Sequence, residues 1–208
     1  MTRQKILYQG AEAKIILTEY LGKKVVEKRR LKKSYRIKEI DEKLISYRTK
    51  EEAKLITQSR ECGVSVPIIY DLDVVKGIIT MEYLEGPRVK DIFDDIDDEK
   101  RKKLCENIGE KIGRLHKNNI IHGDITTSNM ILIDDRIYFI DFGLGEKKDE
   151  TELKGVDLHV LMEAIESTHS KYSSYFNYVL EGYKKSMKKE AITVIRKIDE
   201  IIKRGRYR

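Results

Sequence analysis

The sequence predicts an α+β chain of two lobes, a small β-rich lobe followed by a reduced helical one. Two patterns carry that prediction. Short apolar runs separated by glycine turns fill the first third and recur before Gly86-Pro87. Beyond them, Leu104, Ile108, Ile112 and Leu115 step by four, four and three, the spacing of a helix with one buried stripe. At 208 residues and 40% hydrophobic content, the chain is long enough for one large domain or two small lobes with real cores.

The elements follow in order. "KILYQGAEAKIILTEY" reads as two β runs about Gly10, "LGKK" as a turn, and "KVVEKRR" as a third strand entering a basic loop. From about 41 to 62 the pattern turns helical, with Leu44, Leu55 and Ile56 near one face and Gly63 as a stop. "IIYDLDVVKGIITMEYLEG" gives two more strands around Lys76-Gly77, completing a five-stranded sheet. Asp97 or Asp98 caps the helix that carries the Leu104 stripe. A loop and hairpin follow at 120–143, and further helices are expected near 156–168, 172–185 and 189–203. The expected divisions are therefore a first lobe at 1–84, a second at 85–203 and a basic tail at 204–208, with the chemistry between the lobes.

Charge is unevenly spread. From Lys184 to Arg208 there are ten Lys/Arg against three Asp/Glu, a net +7, which leaves −1 on the preceding residues out of the total +6. The end, "IIKRGRYR", combines arginines with an aromatic neighbour, a pairing suited to an RNA backbone or an acidic surface. Cys62 and Cys105 lie far apart with no ligand-spaced partner, which points away from a disulfide framework or zinc site. No apolar run approaches a membrane span, and "MTRQKILYQG" lacks the core of a signal peptide, so the expectation is a soluble cytoplasmic protein without membrane contact.

The chemistry concentrates in "IIHGDITTSNMILIDDRIYFIDFG". Asp124 follows a His-Gly pair, Asn129 lies five residues on, and Asp141 follows an apolar strand run. That order is the D-x-x-x-x-N and D-F-G spacing of kinase catalytic and metal loops. Phosphoryl transfer needs it for a physical reason: charge gathers on the phosphate oxygens, so catalysis is positioning plus cations. Asn129 and Asp141 would hold Mg²⁺, and Asp124 would orient the attacking hydroxyl or water. The fold class is thus an atypical protein-kinase-like bilobal one, and the first lobe must supply a strand lysine and a helical glutamate. Lys28 and Glu52 fit those places, with Lys24 and Glu51 as rivals. The phosphate-covering loop is "GAEA", Gly10, Ala11, Glu12 and Ala13, with one glycine where three are usual; Glu12 would repel phosphate unless it binds metal or caps a donor. Gly123 stands where regulated protein kinases carry arginine, and fifteen residues separate Asp141 from Asp157, leaving no room for a peptide-substrate platform. Asp157 is either an N-cap or a brace for the catalytic loop, and His122 a structural hydrogen-bonding residue.

The "GAEA" loop, the segment "KRRLKKSYRIKEIDEKLISYRTKEEA", "HGDITTSNMIL", "IDFGLG", "KGVDLHVLMEAIESTH" and the tail "RGRYR" together resemble the small atypical kinase subunit of the KEOPS complex, over nearly the whole chain. Ile37-Lys38 depart from the usual His-Pro of that family, and Glu27 from the usual apolar residue. The resemblance implies an Mg-ATP-dependent serine/threonine kinase or ATPase that supports threonylcarbamoyladenosine modification of tRNA. It further implies ATP and Mg²⁺ as cofactors, Glu82 and Leu84 at the connector completing the nucleotide-binding set, and the threonylcarbamoyl-transferase subunit and a small regulatory subunit as partners. tRNA would be reached through the basic tail. Alternatives from other classes are an antibiotic-type small-molecule phosphotransferase, a catalytically silent nucleotide-binding scaffold and a simple RNA-binding protein.

Overall fold

In the computed structural model, which describes residues 4–206, Leu21 and Gly22 take φ of 49° and 74°. Two successive left-handed residues give a hairpin turn whose twist matches its strands, and here they join β2 (Ala13–Tyr20) to β3 (Lys23–Arg30). With β1 (Lys5–Gln9), β4 (Ile69–Asp73) and β5 (Ile78–Glu82), these strands form an antiparallel sheet in the order β1-β2-β3-β5-β4. The register sets Lys28 opposite Ile15 on β2 and Ile79 on β5. Helix α1 (Lys38–Glu61) contributes Ala53 to a core with Ile79 and Met81, onto which Val26 and Ile69 pack. α1 starts three residues before the expected Asp41, because Asp41 is itself buried: it accepts from the Lys33 backbone N–H at 3.1 Å and pairs with Arg36 at 3.2 Å.

The chain divides into two compact units, Met1–Thr57 with Pro67–Glu85, and Gln58–Val66 with Gly86–Arg208. The Gln58–Val66 stretch belongs to the second unit through main-chain bonds: the Phe139 N–H donates to the Ser65 carbonyl, and Ser65 bridges to Tyr138.

In the second unit, a short α2 (Val89–Ile92) precedes α3 (Asp98–Lys117). Asp97 caps α3, its carboxylate accepting from the Lys100 N–H at 2.9 Å, which satisfies one of the donors a helix start leaves open. The expected stripe is inside: Leu104 is 6% exposed, and Ile108, Ile112 and Leu115 are fully buried. Between them Gly109 and Gly113 let the backbone of α5 (Phe176–Met187) come close. A Cβ on Gly109 would sit 1.8 Å from the Val179 carbonyl oxygen, and one on Gly182 would sit 1.9 Å from that of Glu106. A single methyl at either place would force the two helices apart.

Two-residue strands β6 (Ile120–Ile121) and β9 (Glu146–Lys147) pair with each other, and β7 (Met130–Ile133) pairs with β8 (Arg136–Phe139) across an Asp134-Asp135 turn of two left-handed residues. α4 runs Thr151–Thr168, beginning five residues before the expected start. A 3₁₀ stretch, Ser170–Tyr175, leads into α5, and α6 spans Glu190–Arg206. The expected tail therefore enters the last helix through Arg206, and Tyr207 and Arg208 lie outside the described residues. Among the described residues no helix is long and apolar enough to cross a membrane. Cys62 and Cys105 are free thiols, and burial pushes Cys105 up to about 12, the behaviour of a small apolar residue.

Candidate functional site

In the first unit Lys28, on β3, donates to Glu52 of α1 at 2.5 Å, with side-chain exposures of 7% and 1%. Lys24 instead pairs at the surface with Glu85, and Glu51 with Lys54, so the buried pair is Lys28–Glu52. Glu52 has a second cation that the sequence reading did not include. Arg30, two residues along the strand from Lys28 and so on the same face, donates to the other carboxylate oxygen at 2.5 Å. One buried carboxylate thus holds two buried cations, each on its own oxygen. The i, i+2 spacing of Lys28 and Arg30 opposite one glutamate is the signal that could have shown it.

The "GAEA" turn is closed by the Gly10 N–H donating to the Ala13 carbonyl at 3.0 Å. Glu12 faces cations: Arg48 of α1 lies at 3.2 Å and Lys33 at 3.6 Å, while Lys33 also donates to the Ala11 carbonyl at 2.5 Å. Glu12 is thus paired with cations of its own unit. Glu82 ends β5 with its carboxylate accepting from the Ile68 N–H at 3.1 Å, and Leu84 is buried.

In the second unit Asp124 and Asn129 of the "HGD" loop come together. Asn129 donates from Nδ2 to the Asp124 carboxylate at 2.8 Å and to the Asp124 carbonyl at 2.9 Å. The Ile140 N–H donates to the Asn129 carbonyl at 3.0 Å, which ties the residue before Asp141 to the backbone of Asn129. Asp141 takes a φ of 64°, uncommon for a non-glycine residue, and its carboxylate accepts from the Gly143 N–H.

The loop is braced from α4. Asp157, 1% exposed, accepts from the His122 N–H at 2.7 Å and the Gly123 N–H at 2.8 Å. Lying inside α4 rather than at its start, Asp157 is a brace and not an N-cap. Gly123 has a φ of +83°, and a Cβ there would lie 2.3 Å from the Leu144 carbonyl oxygen, so the position where regulated protein kinases carry arginine admits no side chain here. His122 is fully buried against Phe142, with ring centroids 4.4 Å apart. Burial pushes its imidazole below the ordinary value, against the pull of Asp157, Asp141 and Asp124.

Among the described residues no three His, Cys, Asp or Glu side chains cluster as a metal cage. Mg²⁺ bound beside a nucleotide needs no such cage, being commonly held by one or two carboxylates plus substrate phosphates. Asp141 offers a carboxylate, and Asn129, with Nδ2 turned to Asp124, has its amide oxygen left to offer.

Residues 11–155 match the RIO domain family. The chain belongs to the RIO domain family. This RIO chain is 48% identical over 212 residues to the KEOPS complex subunit Bud32 of Pyrococcus abyssi, an alignment covering 98% of the chain and 96% of that protein. It is 45% identical to a probable bifunctional tRNA threonylcarbamoyladenosine biosynthesis protein of Methanobrevibacter smithii, covering 97% of the chain but 36% of that longer protein. Among solved structures it is similar to the ADP-bound aminoglycoside phosphotransferase APH(2'')-Ib, with a TM-score of 0.66, 14% identity, and 94% and 81% of the two chains covered. It is similar also to the Rio2 kinase–ADP/Mg²⁺–phosphoaspartate complex of Chaetomium thermophilum, with a TM-score of 0.65, 18% identity, and 96% and 71% covered. At those identities the likeness is one of fold, and the fold is protein-kinase-like, as the sequence predicts.

Glu52→Ala strands two buried cations. Breaking a buried ion pair by removing one partner typically costs about 3–5 kcal/mol, so urea unfolding of this variant should show a loss of that order. A loss under about 1 kcal/mol would mean that the pair is solvated rather than buried.

Proposed function

We propose that this chain binds Mg-ATP and cleaves its terminal phosphate bond, as the kinase-like subunit of a KEOPS-type assembly supporting threonylcarbamoyladenosine formation in tRNA. The observation that carries the reading is the bonded Asp124–Asn129 pair, joined through Ile140 to Asp141. In this reading Lys28, held by Glu52, binds the phosphates, with the Gly10–Ala13 turn, Glu82 and Leu84 completing the nucleotide contacts. Asn129 and Asp141 supply oxygens to Mg²⁺, which when bound neutralises charge gathering on the phosphate oxygens. Asn129 occupies one oxygen of Asp124 and, among the described residues, leaves the other to accept a proton from water or a hydroxyl. Hydrolysis is favoured over protein phosphorylation because only residues 142–150 separate Asp141 from α4, too short a stretch for a peptide platform. The relatives named for KEOPS and for tRNA threonylcarbamoyladenosine biosynthesis support the assignment to that pathway, with the transferase and a small regulatory subunit as partners and the cytoplasm as the site of action.

The basic end of α6 is proposed to reach tRNA. Arg204 already pairs with Glu152 on α4, so binding must either displace that carboxylate or use the arginines beyond it.

Asp124→Ala should lower ATP hydrolysis by about 10²- to 10⁴-fold, the usual worth of a positioned base, with nucleotide affinity by titration nearly unchanged. Hydrolysis at the wild-type rate would remove Asp124 from the chemistry. Deleting residues 204–208 should weaken tRNA binding and flatten its dependence on salt, by up to ~0.9 in log–log slope for each phosphate no longer neutralised. Equal affinities at every salt concentration would rule the tail out as an RNA-binding element.

A further inference from the structure

We propose that Asp94, His169 and Thr127 form a positioning relay that holds the segment between Asp124 and Asn129 in its working shape; the proposal rests on the ATP-cleaving role given above. The three side chains come from different parts of the second unit. Asp94 follows α2, His169 follows the last residue of α4, and Thr127 lies in the catalytic loop. The Asp94 carboxylate lies 2.6 Å from His169 Nδ1, and His169 Nε2 lies 3.1 Å from the Thr127 hydroxyl. His169 is 2% exposed and Thr127 1%.

Chemistry fixes the direction of the first bond, and the second follows for a neutral ring. An ionised carboxylate only accepts, so Nδ1 carries the proton and donates to Asp94. In the neutral ring Nε2 is then an acceptor, and the Thr127 hydroxyl donates to it.

The far end of the relay is itself held. Arg101 of α3 donates from Nε to the Phe93 carbonyl at 2.8 Å and from Nη2 to the Asp94 carbonyl at 3.2 Å. Its guanidinium lies 3.7 Å from the Tyr172 ring centroid, and the Phe93 ring packs 4.5 Å from the imidazole. The near end matters because Thr127 opens the single 3₁₀ turn Thr127–Asn129, whose last residue bonds Asp124. Fixing the Thr127 side chain fixes the turn, and the turn sets the distance between Asp124 and Asn129. Packing around the turn is incomplete: Thr126, Thr127 and Ser128 all border an open groove of about 760 Å³ that Glu163 and Glu166 also line. With open space there, the relay restrains the loop where packing does not.

Thr127→Val removes the hydroxyl while keeping the shape, and Thr127→Ser keeps the hydroxyl. In the full chain, Thr127→Val should lower kcat for ATP hydrolysis about ten- to a hundredfold, since small misplacements near reacting groups have costs of that size. The KM for ATP should rise by less than kcat falls, because the Lys28 and Gly10–Ala13 contacts are not touched. Thr127→Ser should restore kcat. His169→Asn should match Thr127→Val, and the double variant should be no worse than either alone, as for members of one linked chain. Asp94→Ala, at a half-exposed residue whose loss cannot unfold the core, should act in the same direction. Amide hydrogen exchange over residues 125–129 reads the relay without any turnover, and should quicken at least ~tenfold in Thr127→Val but not in Thr127→Ser. Unchanged exchange in Thr127→Val, a rise in KM at constant kcat, or additive losses in the double variant would overturn the relay. A wild-type chain without ATP turnover would defeat the functional reading, and the exchange experiment alone would then decide the relay.

Discussion

A single buried carboxylate, Asp157, organises the second unit. At 1% exposure it accepts from the His122 and Gly123 amides and lies 3.2 Å from His116 Nε2. A buried charge is tolerable only when its hydrogen-bonding capacity is met, and these three donors meet it. The carboxylate requires His116 to donate from Nε2, and His116 Nδ1 lies 2.9 Å from the Tyr183 hydroxyl. Burial pushes the Tyr183 phenol well above its ordinary value and keeps it a donor. α4, α3, α5 and the "HGD" loop are joined by this one chain of bonds, and the close helix contact at Gly109 and Gly182 gives Tyr183 its place in it.

Glu52 has a comparable part in the first unit. It takes two cations, one on each oxygen, where the usual kinase scheme asks only for the lysine. With Arg30 on the second oxygen, the glutamate cannot rotate away from Lys28 without stranding a buried guanidinium. The Glu12 contacts act in the same sense on the "GAEA" turn, since Arg48 and Lys33 tie a glycine-poor loop in place by side chains. Both devices place a carboxylate among cations, and both draw on the basic run Lys23 to Lys38, which by composition alone reads as a solvated surface.

Much of the architecture was legible in the sequence because its signals are local. Period-two strands, the Asp97 cap and the buried stripe of α3 depend on neighbours a few residues away, and the Asp124, Asn129 and Asp141 order depends on a short stretch of chain. What could not be read rests on long-range partners. The start of α4 at Thr151 follows from the burial of Lys154, which pairs with Asp149 at 2.7 Å, and nothing in the local pattern marks a lysine as interior. Gly109 and Gly113 read as weak points in a helix until α5 is seen against them. Arg30 and His169 were missed because each acts through a residue far along the chain, and Asp157 showed its role only once the amides of the "HGD" segment were seen to point at it.

If the Asp157 carboxylate builds the loop that presents Asp124, then Asp157→Asn should expose that dependence. A hydrogen bond to a charged acceptor contributes about 1.5–3 kcal/mol. The His122 and Gly123 amides of the variant should therefore exchange with solvent roughly ten- to a hundredfold faster than in the wild type, while amides of the five-stranded sheet keep their rates. Exchange at 122 and 123 as slow as in the wild type would contradict the account.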